Sequence, residues 1–183
     1  MTVSLITFAI ATVGIVYISR ISLLQPSSYG FYRFFAWESI LGMILLSVER
    51  WFDDPFSLHQ MISWPLLAIS AILVVHGAYQ LLVQGKPDSK RQDNRLMGVE
   101  KTTILVTRGA YKYIRHPIYS SLLFLAWGVF FKNPSWTTGT LVTMTTIFLT
   151  ATAKVEEVEN INFFGSSYIA YMKQTKMFIP FIF

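Results

Sequence analysis

The apolar residues of this chain run in blocks too long for the strands and amphipathic helices of a soluble core, and this feature decides its solvent. Residues 61–83 form one such block, interrupted only by His76. At about 1.5 Å rise per residue it crosses a hydrocarbon core of about 30 Å with some tilt. Further blocks cover residues 1–19, ended by Arg20, then about 34–48, 118–131 and 136–153. The first lacks the basic start and small-residue cleavage site of a secretory signal, so it reads as a retained span. With 53% hydrophobic and 14% charged residues among 183, and a mean hydropathy of +0.47, composition agrees. The expectation is an all-α polytopic membrane protein with about five transmembrane helices and a C-terminal interfacial helix. It forms a single membrane domain: N-terminal spans in 1–83, a cytoplasmic loop in 84–117, a helical hairpin in 118–153 and a cytoplasmic or interfacial segment in 154–183.

Charge gives the orientation, because short cytoplasmic loops collect Lys and Arg. With an outer N-terminus and five spans, 13 of the 15 Lys and Arg residues fall inside, leaving Arg50 and Lys132 outside beside Asp53 and Asp54. The net charge of +5 and the pI near 9.5 are therefore read as topology, not as a nucleic-acid surface. The absence of cysteine excludes disulfides, thiolate metal sites and cysteine nucleophiles. No His or carboxylate group has metal-ligand spacing. His59 reads as a loop residue, and His76, inside an apolar span, as a packed and hydrogen-bonded histidine before a catalytic one.

Lys132-Asn133-Pro134-Ser135 is a tight polar turn that predicts a helical hairpin. The threonines after it, from Thr137 to Thr152, have hydroxyls able to bond back to helix carbonyls or across to neighbours, so this helix is expected to be interior and tightly packed. Chemistry concentrates in two polar stretches. One runs from the end of the connector 84–111 into the start of the next apolar block, with Tyr111, Tyr113, Arg115, His116 and Tyr119. Pro117 suits the first turn of a helix, and His116 before it is held extended at a helix N-terminus that favours an anionic group. Arg115 adds a fixed cation; an interfacial belt of aromatic and snorkelling cationic side chains explains the same residues equally well. The other stretch holds Glu156, Glu157 and Glu159 where the membrane ends. A continuing helix puts Glu156 and Asn160 on one face, pairs Lys154 with Glu157 and stops at Gly165. Ser166 is then available as an N-cap for a last helix ended by Pro180.

Together the two stretches resemble the C-terminal signature of the isoprenylcysteine carboxyl methyltransferase family and its phospholipid methyltransferase relatives. The first motif is Tyr111, Tyr113 and Arg115-His116-Pro117-Ile118-Tyr119. The second is Glu156 and Glu157 followed by Phe164, Gly165, Tyr168, Tyr171, Ile179 and Pro180. The resemblance covers about residues 96–183, and this chain departs from it with Ser121 in place of a glycine and Gly109-Ala110 in place of Gly-Pro. It implies an S-adenosylmethionine-dependent methyltransferase acting on a lipidic, prenylated or small hydrophobic substrate in the bilayer, with a carboxylate acceptor weakly preferred. The donor's sulfonium would meet Glu156 and Glu157, and its carboxylate Arg115, His116 and the N–H groups in the first turn of the helix that Pro117 opens. Tyr111, Tyr113 and Tyr119 would line its adenine. Arg115 and Glu156 are the residues expected to act in catalysis. An NADPH-dependent membrane reductase of the sterol reductase type and a non-enzymatic membrane subunit are the alternative readings.

Overall fold

The computed structural model describes residues 2–86 and 102–183. Among these, six α-helices run in order: α1 Thr2–Leu23, α2 Tyr29–Ser47, α3 Leu58–Gln84, α4 Pro117–Phe130, α5 Trp136–Phe164 and α6 Ser166–Gln174. The protein is an all-α membrane protein. Three helical stretches, Ser4–Leu23, Tyr29–Arg50 and Leu58–Gln84, are long and apolar enough to cross a bilayer, and α4 is a shorter apolar helix. Large apolar side chains on α1 such as Ile10, Val13 and Tyr17 are exposed, as a lipid-facing helix requires. Most of the connector 84–111 that the sequence singles out lies outside the described residues.

Helix starts differ from the hydropathy blocks where capping decides. α2 begins five residues before its apolar block, because the Ser28 side chain accepts from the Phe31 N–H. α3 begins at Leu58, which places His59 in its first turn and not in a loop; its ring bonds Ser57 Oγ and the Phe131 carbonyl. Pro117 does open α4. α5 carries a capping box between Ser135 and Thr138.

The turn at 131–135 joins α4 to α5, yet α4 packs mainly on α3 and α5 mainly on α2. Antiparallel contact of α3 with α4 is set by Gly77, where a Cβ would lie 3.3 Å from both Pro117 Cβ and Ile118 Cγ1, and by the 2.8 Å bond from Ser63 Oγ to the Gly128 carbonyl. Such an interhelical bond contributes about 1 kcal/mol in a bilayer. Phe35 and Phe148 stack between α2 and α5. At the end of α4 away from His116, Lys132 is 1% exposed, donates to Gln60 Oε1 at 2.8 Å and sits 3.2 Å from the Trp64 ring centre.

The threonine helix is interior on one face only. Thr138, Val142, Thr145, Leu149, Thr152, Ala153 and Glu157 form its buried stripe, whereas Thr137, Thr140 and Thr143 are not part of it. Hydroxyls from Thr140 to Thr152 bond back to the carbonyl four residues earlier, so they satisfy themselves within the helix. α5 then continues well past its apolar block to Phe164, bringing the carboxylates with it. It stops at Gly165, whose φ of 61° and ψ of −137° are adopted readily by glycine alone. The same glycine is the N-cap of α6, so Ser166 is its first residue and makes no cap bond; α6 ends at Gln174, before Pro180.

Candidate active site

Backbone pairing brings the two polar stretches together. Segment 113–116 lies alongside 176–177: Lys176 N donates to the Tyr113 carbonyl at 3.0 Å, Arg115 N to the Lys176 carbonyl at 2.8 Å and His116 N to the Met177 carbonyl at 3.2 Å. Ile114 and Lys176 form a parallel bridge. Ser120 Oγ ties the first turn of α4 to the Phe178 carbonyl at 2.8 Å. From the other side, Tyr171 Oη donates to the Tyr111 carbonyl at 2.6 Å. Burial raises the Tyr168 and Tyr171 phenols well above their ordinary value, so both stay protonated and Tyr171 remains a donor.

At the centre of this junction sits Glu157, whose Oε1 accepts from Arg115 Nε at 2.6 Å and pairs with His116 Nε2 at 3.3 Å. Burial pushes this carboxyl up, but the hydrogen bonds and charges of His116 and Arg115 outweigh it and hold the group below the usual carboxylate range. Lys154, the partner expected from sequence, is exposed one turn away; Arg115 outcompetes it by meeting Glu157 inside the junction. Arg115 Nη1 also donates to the carbonyls of Met172 and Thr175. Of its three guanidinium nitrogens, Nε and Nη1 are therefore committed to holding α5 and the end of α6. The His116 ring stacks on Tyr119 at 5.5 Å between centres.

Beside this junction opens a cleft of about 740 Å³, counted to its open mouth. Leu81, Leu105, Val106 and Ile118 make one part of its wall apolar, while Glu156, Glu159 and Asn160 bring carboxylate and amide groups from α5. Tyr111, Tyr119, Phe164, Tyr168 and Tyr171 supply rings, and Arg115 and His116 reach it as well. Of the residues expected from sequence to bind donor or act in catalysis, the cleft thus gathers Tyr111, Arg115, His116, Tyr119 and Glu156. Glu157 stands behind as the partner of Arg115 and His116. Pro117 is buried against α3 at Gly77. Tyr113 is 47% exposed on another surface, where its ring meets Phe181 and Lys112.

The motifs leave out Glu159 and Asn160, although the helix reading of this stretch already puts Asn160 on the face of Glu156, and Glu159, three residues after Glu156, shares it. That spacing is the signal that finds them: Asn160 Nδ2 reaches Glu156 Oε1 at 3.5 Å. Leu81 gives no such signal, since in sequence it is one apolar residue among many.

The first motif, the α4–α5 hairpin and the second motif as far as Gly165 fall within the part of the chain, residues 58–167, that matches the family model described as Phospholipid methyltransferase. The chain belongs to this family. Its relatives include the methanethiol S-methyltransferase of Pseudomonas deceptionensis, 28% identical over 146 residues, which are 78% of this chain and 48% of that protein. A methanethiol S-methyltransferase 1 of Bradyrhizobium diazoefficiens is 34% identical over 90 residues, 48% of this chain and 30% of the relative. The human protein-S-isoprenylcysteine O-methyltransferase is 35% identical over 83 residues, 44% of this chain and 29% of that one. The matched part thus spans about half, or less, of the length of these relatives. No solved structure matches the chain.

Proposed function

We propose that the whole chain acts as one membrane unit, an S-adenosylmethionine-dependent methyltransferase for a lipidic or small hydrophobic acceptor. The observation that carries this reading is the chemistry of the cleft: carboxylates, aromatic rings and an apolar wall share one cavity at the junction of both family motifs. S-adenosylmethionine fits those residues. Its sulfonium and ammonium groups suit Glu156, Glu159 and Asn160, and its adenine suits the rings of Tyr111, Tyr119, Phe164 and Tyr168. When bound it supplies an electrophilic methyl group. The cleft's own contribution is alignment and exclusion of water, which Leu81, Leu105, Val106 and Ile118 serve while accommodating a hydrophobic acceptor. Where the acceptor must lose a proton, Glu156 is a cleft carboxylate able to take it. Arg115 has Nη2 uncommitted among the described residues, so it offers an acceptor carboxylate one contact and not a two-pronged grip.

The test is titration of the purified protein with labelled S-adenosylmethionine and, separately, NADPH. Saturable binding of the first is expected, weakened by about 1–3 kcal/mol in Glu156→Gln, the usual cost of losing a charge-assisted partner. Saturable NADPH binding with none of S-adenosylmethionine would replace this reading with a reductase.

The charge distribution supports a cytoplasmic cleft, with the Asp53-Asp54 turn outside. In a chain without cysteine, single cysteines introduced at Asp53 and at Lys176 are expected to react with an impermeant label from opposite sides of sealed vesicles. Labelling of both from one side would overturn this orientation.

A further inference from the structure

His76 is the sole titratable side chain to interrupt the apolar block of α3 with an imidazole, and nothing in the proposed chemistry uses it. Its Nε2 lies 3.3 Å from the backbone N of Ala110. A backbone N–H only donates, so Nε2 accepts. Ala110 is the second residue of the 3-10 turn Gly109–Lys112, and its N–H is among those that such a turn leaves without an internal partner.

Two further observations show that the turn is seated on this face of α3. Gly109 has φ of 62°, and a Cβ there would lie 2.5 Å from His76 Nε2 and 2.8 Å from Gln80 Nε2. A side chain at 109 would be strained and would also strike both residues. His76 and Gln80 are four residues apart and therefore adjacent on the helix, with Gln80 itself held by Gln84. The next residue of the turn is Tyr111, whose ring lines the cleft and whose carbonyl Tyr171 holds from the opposite side.

We infer that His76 is a positioning residue: by accepting the Ala110 N–H it fixes the 109–112 turn on α3 and so sets the Tyr111 ring for the methyl donor. The inference rests on the reading of the cleft as the donor site. Within that reading, α3 supplies one clamp on Tyr111 and α6 the other.

The experiment measures S-adenosylmethionine affinity of the full chain in a double-mutant cycle. His76→Leu is expected to weaken binding roughly threefold to tenfold, the effect of one hydrogen bond. His76→Gln, whose amide oxygen can accept from the same N–H, should restore most of it. Ala110→Pro removes the N–H, which the 3-10 turn itself does not use. In that background His76→Leu should cause no additional loss. Unchanged affinity in His76→Leu, equal losses in both backgrounds, or no rescue by glutamine would overturn the inference. If the wild-type chain binds no S-adenosylmethionine, it is the donor-site reading that fails, and this is seen before any variant is measured.

Discussion

Replacement of Arg115 by alanine is expected to cost about 3–5 kcal/mol of stability, the range for removing one partner of a buried ion pair. The guanidinium side chain is 11% exposed and Glu157 is 9% exposed, so water cannot take the place of the lost partner. The variant also orphans the Met172 and Thr175 carbonyls, which lie where α6 ends and the chain turns back along residues 113–116. Arg115→Lys is expected to recover less than half of the loss. One ammonium on a flexible stem cannot reach Glu157 and two carbonyls that a planar fork meets at once. The measurement is thermal unfolding of the solubilised protein, with donor affinity followed in parallel. Both should fall together in Arg115→Lys, because the same side chain holds the walls of the cleft. A lysine variant that melts as wild type and binds donor normally, but transfers no methyl group, would assign Arg115 to the acceptor and remove the clamp from its role.

The parts legible in the sequence are those that local chemistry fixes. The apolar blocks locate the helices from α1 to α5, since an apolar run long enough to cross a bilayer has few other uses. Pro117 locates the start of α4 and Gly165 the end of α5, because each has a backbone requirement that its neighbours do not share. The resemblance gathers Tyr111, Arg115, His116, Tyr119 and Glu156, which do line one cleft.

Partner choice is the part that sequence misses. A helix surface rule pairs Lys154 with Glu157, but the structure gives Glu157 to Arg115 and His116, 42 and 41 residues away. An exposed lysine at helical spacing gains little, whereas a buried carboxylate needs partners that surround it. The pairing of α4 with α3 and of α5 with α2 is likewise hidden, because a short turn shows only that two helices are consecutive. The small residue that permits close approach, Gly77, has no periodicity to announce it. Tyr113 carries the same motif signal as Tyr111, yet in an irregular segment two residues apart no helical or strand period dictates the direction of a side chain. The backbone bonds to Lys176 turn Tyr113 toward Phe181.

The Glu157 junction should also give the protein a distinct acid sensitivity. Its carboxyl is held below the ordinary value of 4.5 in the folded protein, burial opposing and His116 and Arg115 prevailing. A group with a depressed folded pKa stabilises the fold fully above its unfolded pKa, and that contribution is lost as the pH falls through the folded value. The window therefore opens near pH 4.5 and extends downward. Glu157→Gln removes the charge with little change of shape, leaving Arg115 and His116 without their carboxylate. At neutral pH the variant is expected to be less stable by about 3 kcal/mol, on the order of breaking a buried pair. Below pH 4.5 the difference should shrink steadily, because protonation of wild-type Glu157 produces the same neutral side chain that glutamine supplies throughout. Melting temperatures of both proteins, recorded in one detergent from pH 7 to pH 3, measure that difference directly. Two parallel curves would show that Glu157 does not titrate differently in folded and unfolded chains. A variant more stable than wild type at pH 7 would mean that removing the charge from burial outweighs the bonds of Glu157 to Arg115 and His116.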